Sequence, residues 1–178
     1  MLIRAFDPAD TDSVVQLWTD CGLVRPWNDP RRDIERKLTE QPELFLVGDV
    51  DGAVVATAMV GFDGHRGWVY YLAVTPSSQG TGYGRTLMAH AENLLRDRGC
   101  PKINLQIRAG NERVMEFYRS LGYTPDYAVG MGKRLIPDVL PAASRARLHR
   151  HFATQHRIIP RPNRTVCTQG GMRKPVPG

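Results

Sequence analysis

The segment Trp68-Val69-Tyr70-Tyr71-Leu72-Ala73-Val74 is apolar throughout, and it runs into Thr75-Pro76-Ser77-Ser78-Gln79-Gly80-Thr81-Gly82-Tyr83-Gly84. Past Gly82 the apolar period changes from strand-like to helical, with Leu87, Met88, Ala91, Leu94 and Leu95 on one stripe. A strand of that composition is buried on both faces, so it calls for a sheet covered from two sides. The head of a helix offers unpaired amides and the positive end of the macrodipole, and glycines let an anion come close to them. The junction therefore reads as an anion cradle, set against the plainer reading of a tight turn before a helix. The spacing of Gly80, Gly82 and Gly84 is not the G-x-G-x-x-G of a dinucleotide fold, and Gly84-Arg85-Thr86 lacks the rest of a P-loop.

The flanking chain supplies the covering elements. Leu2 to Phe6 alternates as a short strand until Asp7-Pro8 breaks it. Asp10 is placed to cap a helix carrying Val14, Leu17, Trp18 and Cys21, which Gly22 ends. Asp29-Pro30 opens a second helix running to about Glu40, with Ile34 and Leu38 on one stripe. Leu44–Val50 and Ala53–Phe62 are β-rich runs joined by Asp51-Gly52, a hairpin signal. The helix that starts from Gly82 closes at Gly99, after which Ile103, Leu105 and Ile107 alternate as a strand, Val114–Leu121 is helical up to Gly122, and Tyr127–Leu135 reads as a last strand. The expected order is βααβββαβαβ, an α/β chain with a mixed, mostly antiparallel sheet flanked by helices.

Charge separates the body from the tail. All 18 acidic residues lie in 1–138 with 16 of the 24 basic ones, whereas 139–178 holds eight bases and no acid. We expect one domain over 1–138 and a basic, Arg/Pro-rich, flexible tail over 139–178. Clustered arginines gain affinity for phosphates by counterion release, but the tail lacks regularly interleaved aromatics or a recognisable binding fold, so a nucleic-acid partner is not expected. No apolar run reaches the ~20 residues of a membrane span, and Met1-Leu2-Ile3-Arg4 leads into polar residues unlike a signal peptide, so no membrane partner and a cytoplasmic location are expected. Cys21, Cys100 and Cys167 lack metal-ligand spacing and read as free thiols, with no metal site expected.

Gln79-x-x-Gly82-x-Gly84 resembles the coenzyme A pyrophosphate loop of the GNAT superfamily, an Arg/Gln-x-x-Gly-x-Gly/Ala pattern placed after the fourth strand. Asn111 to Tyr123, with Phe117-Tyr118 and Gly122-Tyr123, is similar to that family's Asn…Phe-Tyr-x-x-x-Gly-Phe/Tyr helix. Arg25–Pro30, Asp63–Gly67, Gly99–Ile103 and Gly132–Ile136 look like a small bacterial branch called YpeA. The resemblance covers about residues 1–136 and implies the GNAT acyl-CoA N-acyltransferase fold, in which splayed strands form the CoA cleft. It implies an N-acetyltransferase that moves an acetyl group from acetyl-CoA, its co-substrate, to an amine acceptor, a small molecule or a protein amine, within a ternary complex. It also admits a homodimer.

The resemblance further implies that Leu72, Ala73 and Val74 face the acyl-pantetheine arm and that Gln79, Gly80, Thr81, Gly82, Tyr83, Gly84 and Arg85 hold the phosphates. Asn111 would orient the arm. Tyr118 would be the general acid, because a phenol that shares its proton makes the thiolate a better leaving group. A backbone N–H freed by a bulge near Leu72 would serve the oxyanion. The strand from Trp68 to Val74 carries no acid, which leaves Asp63, His65 and Tyr70 as acceptor-side candidates for the base. Trp27, Asn28 and Asp29 are further candidates for substrate contact, with helix capping an equal use for Asp29. Two rival readings are a non-catalytic acyl-CoA sensor and a nucleic-acid-binding module built on the tail.

Overall fold

The computed structural model describes residues 1–138; the tail lies outside them. The chain runs β1 (Leu2–Ala5), α1 (Thr11–Asp20), α2 (Pro30–Thr39), β2 (Phe45–Val50), β3 (Ala53–Phe62), β4 (Gly67–Val74), α3 (Tyr83–Asp97), β5 (Ile103–Leu105) and α4 (Glu112–Arg119). The sheet order is β1-β2-β3-β4-β5, antiparallel except for the parallel β4–β5 pair. The turn between β2 and β3 has Asp51 and Gly52 at φ +53° and +82°, as the dipeptide predicts.

Two apolar clusters cover the two faces. On one, Leu87, Met88, Ala91 and Leu95 of α3 pack with Leu46, Ala56, Ala58, Val60 and Val69. On the other, Val14, Leu17 and Trp18 of α1 and Ile34 of α2 pack on Phe45, Val47, Met59 and Ala73. Each large apolar side chain buried in this way contributes roughly 1.5–3 kcal/mol. Just past the end of α3, Gly99 takes φ +75°, and the Gly99 and Cys100 amides bond the Arg96 and Leu95 carbonyls at 2.9 and 3.0 Å.

Two expectations need correction. Asp10 does not cap α1: its carboxylate turns back to the Arg4 guanidinium at 2.6 and 2.9 Å and to the Asp7 amide at 2.8 Å. A bidentate, charge-assisted pair outweighs a cap to a neutral amide. The expected strand over Tyr127–Leu135 is absent among the described residues, where that segment is irregular and Tyr127, Val129 and Met131 are fully exposed. Apolar alternation makes a strand only where a neighbour pairs with its backbone and covers one face, and Gly130 and Gly132 weaken the segment further.

β5 pairs with β4 only through Gly67↔Ile103, Trp68↔Asn104 and Val69↔Leu105. β4 continues to Val74 without it, so the sheet opens along the second half of β4.

Candidate active site

At the opening, β4 leaves its regular course. Tyr70 pairs with Met59 and Ala73 with Thr57, so Tyr71 and Leu72 together oppose Ala58, a β-bulge. Tyr71 sits at φ +50°, a left-handed conformation that costs a non-glycine residue about 1–2 kcal/mol. The extra residue resets which side chains face which way: Tyr71 and Ala73 join the α1 side, while Leu72 and Val74 join the α3 side.

The loop after β4 is tied to itself. Gln79 donates from Nε2 to the Val74 carbonyl at 3.1 Å and accepts from Arg113 Nη2 at 3.1 Å. Thr81 donates from Oγ1 to the Ser78 carbonyl at 2.7 Å. Gly80 and Gly82 take φ of +83° and +92°, and a Cβ at either would point into open space. Gly82 precedes α3 without a side-chain cap, and the first helical bond runs from the Thr86 amide to its carbonyl at 3.0 Å. The amides of residues 83–85 are thus free of intrahelical partners. Gly84 has a different cause: its Cβ would lie 3.2 Å from the Phe117 ring, so glycine here lets α4 close on α3. Arg85 spans the same pair through the Ser120 hydroxyl at 3.2 Å.

These elements enclose a cleft of about 490 Å³. Its walls include Leu72, Ala73 and Val74 from β4, Gln79, Gly80, Gly82, Tyr83, Gly84 and Arg85 from the loop and α3, and Asn111 and Tyr118 from the α4 side. Of the residues assigned to this cleft by sequence, only Thr81 does not line it. Asn111 caps α4, accepting from the Val114 amide at 3.4 Å. Tyr118 is 7% exposed, and burial pushes its phenol up to about 12. Its hydroxyl has no hydrogen-bond partner among the described residues, and it is not sealed off, since no buried polar side-chain atom there lacks a partner.

The acceptor-side candidates lie outside the cleft walls. The Asp63 carboxylate closes its own turn, accepting from the Arg66 and His65 amides at 2.6 and 2.8 Å and from Trp68 Nε1 at 3.1 Å. These bonds hold it at about 2, which makes it a poor proton acceptor. His65 lies in the same exposed turn, and Tyr70 stacks on Trp68 at the surface, its phenol raised by burial and by Asp63. Trp27 is exposed, Asp29 caps α2 through the Arg31 amide at 3.0 Å, and Asn28 accepts from Arg134 at 3.0 Å. Asn28 also reaches Asp33, which accepts a 2.7 Å bond from the Tyr71 hydroxyl; burial first, then Asp33, raises that phenol to about 12.

The Acetyltransferase (GNAT) family model matches residues 11–123. The chain belongs to the GNAT family. An acetyltransferase of Yersinia enterocolitica is 49% identical over 138 residues, 78% of this chain and 98% of that protein. Ard1 from Thermoplasma volcanium superposes with a TM-score of 0.63 at 26% identity, covering 69% of this chain and 82% of that one. AAC(6')-Iy in complex with the bisubstrate analog CoA-S-monomethyl-acetylneamine gives 0.63 at 16% identity, over 75% and 97% of the two chains. The five-stranded mixed sheet flanked by helices is thus the GNAT fold, and acetyl-CoA is the co-substrate that the family implies.

A GNAT pyrophosphate loop needs open backbone amides, and the free N-terminus of α3 beside Gly80 and Gly82 meets that need. Sequence reasoning missed Ser78, Arg113, Val114 and Phe117 as cleft residues. Helical spacing from Asn111 held the signal for three of them, since 113, 114 and 117 share the α4 face that meets α3. No helix among the described residues is long and apolar enough to cross a membrane, and no group of three metal-ligating side chains gathers there.

Proposed function

We propose that this GNAT protein is a cytoplasmic N-acetyltransferase that passes an acetyl group from acetyl-CoA directly to an amine held beside it. The observation that carries this reading is the pairing, in one cleft, of the uncapped N-terminus of α3 with Tyr118. When bound, acetyl-CoA supplies a thioester carbonyl that an amine nitrogen can attack. The amides of residues 83–85 and Arg85 face its phosphates, and Gln79, held between Val74 and Arg113, keeps the loop in place. Leu72 offers a backbone N–H where carbonyl charge builds. Tyr118 keeps its proton at neutral pH and donates a hydrogen bond to the departing sulfur.

The amine must be deprotonated before it attacks. Trp68 to Val74 has no carboxylate, and Asp63 is committed to its turn, so no direct base is assigned to β4. The acceptor class, small molecule or protein amine, is for a screen to find. Purified protein with acetyl-CoA and a panel of amines should release free thiol and give acetylated products by mass spectrometry. Tight CoA binding with no turnover on any amine would instead favour a sensor.

A further inference from the structure

Thr57 is fully buried in the middle of β3, a polar residue that the transfer reading does not use. Its hydroxyl accepts from Trp18 Nε1 at 2.9 Å and donates to the Tyr71 carbonyl at 3.0 Å. Trp18 is itself fully buried, and its ring stacks on the Tyr71 ring with centroids 3.9 Å apart. At the far end, the Tyr71 hydroxyl donates to Asp33 on α2 at 2.7 Å. The residue in the left-handed conformation of the bulge is therefore held at its carbonyl, its ring and its hydroxyl by three different elements.

The carbonyl tie carries a geometric consequence. In a planar trans peptide, C=O and the following N–H point in opposite directions. Thr57 and Trp18 lie on the α1 side of the sheet, so the Tyr71 carbonyl is drawn to that side. The Leu72 N–H on the same peptide is then turned to the opposite side, where Leu72 lines the cleft with Tyr118. A bulged peptide free of this tie could rotate back toward ladder pairing with Ala58.

We propose that Thr57, oriented by Trp18, is a positioning residue that aims the Leu72 N–H into the acyl cleft. The proposal rests on the acetyl-transfer reading above. Thr57 touches no reacting atom; it acts through one peptide plane. Asp33 and the Trp18 ring hold the Tyr71 side chain so that this plane has a fixed support.

The test reads the carbonyl itself and needs no acceptor. Infrared difference spectra of [1-13C]acetyl-CoA bound to the full-length protein should show the thioester carbonyl band at lower wavenumber than in free acetyl-CoA. In Thr57→Val the band should return toward the free position, with acetyl-CoA affinity held within about threefold. Thr57→Ser, which keeps the hydroxyl, should preserve the low band. With any amine that turns over, Thr57→Val should lower kcat about tenfold or more, leaving KM for acetyl-CoA within about threefold.

A low band retained in Thr57→Val overturns the positioning role and leaves the transfer reading standing. An unshifted band in wild-type protein that binds acetyl-CoA removes the Leu72 donor, and the role of Thr57 with it. No binding of acetyl-CoA by wild type defeats the transfer reading and the proposal together. Should Thr57→Val not fold, Thr57→Ala, which also removes the hydroxyl that holds the Tyr71 carbonyl, carries the test: its band must move in the same direction, and an unmoved band overturns the proposal.

Discussion

Tyr118 and Tyr71 are both phenols raised to about 12, yet their surroundings give them different uses. Tyr71 spends its hydroxyl on Asp33, whereas Tyr118 lines the cleft and its hydroxyl bonds no group among the described residues. Removing the Tyr118 oxygen should therefore show in turnover more than in binding. We expect Tyr118→Phe to lower kcat about 100-fold or more with acetyl-CoA affinity nearly unchanged; equal kcat at saturating substrates would cancel its assignment as acid. Because its folded value lies near 12, any alkaline loss of rate due to Tyr118 should fall above pH 10. Asp10 offers a stability test. Arg4 holds its carboxyl below the ordinary range, so its contribution is present above about pH 4 and is lost as pH falls through the lowered folded value. Asp10→Asn should destabilise by about 1–2 kcal/mol in denaturant melts at pH 7, with the gap to wild type narrowing toward pH 2.

At the scale of elements, α3 serves two ends at once. Its stripe of Leu87, Met88, Ala91 and Leu95 anchors it to the sheet, and its uncapped first turn faces the cleft. Leu87→Ala should cost about 2–5 kcal/mol in denaturant unfolding, since Leu87 is wholly buried under the sheet. A loss under 1 kcal/mol would mean that the site collapses around the gap. The sequence showed α3 plainly because its stripe, its glycine start and its Gly99 stop agree. It misled at 127–135, where Tyr127, Val129 and Met131 alternate but pairing, a property of two segments, was missing. Asp10 misled for a similar reason: capping is read from neighbours in sequence, while Arg4 reached it across the turn between β1 and α1.

For the whole molecule, the cleft exists because β5 stops while β4 goes on, and α3 and α4 close over the gap. A ligand seated there bridges β4, α3 and α4, so it should stabilise the folded chain as one unit. Acetyl-CoA at 100 times its Kd should add about 2.7 kcal/mol of stability, read as a concentration-dependent rise in Tm. A Tm that ignores acetyl-CoA up to millimolar levels would count against the cleft as its site.

The sequence alone determined the order of the first nine elements, the glycine loop at the head of α3, and the α4 motif ending at Gly122, because each is written in residues close together along the chain. Only the tertiary structure decided that Thr57, Trp18 and Asp33 converge on Tyr71, that Gly84 answers to Phe117, and that Asp63 is occupied by its own turn. Those facts depend on side chains from separate strands and helices, or on where a hydroxyl or carboxylate finds its partner. Hydrophobic periodicity records which face a residue takes, and it carries no record of what that face will meet.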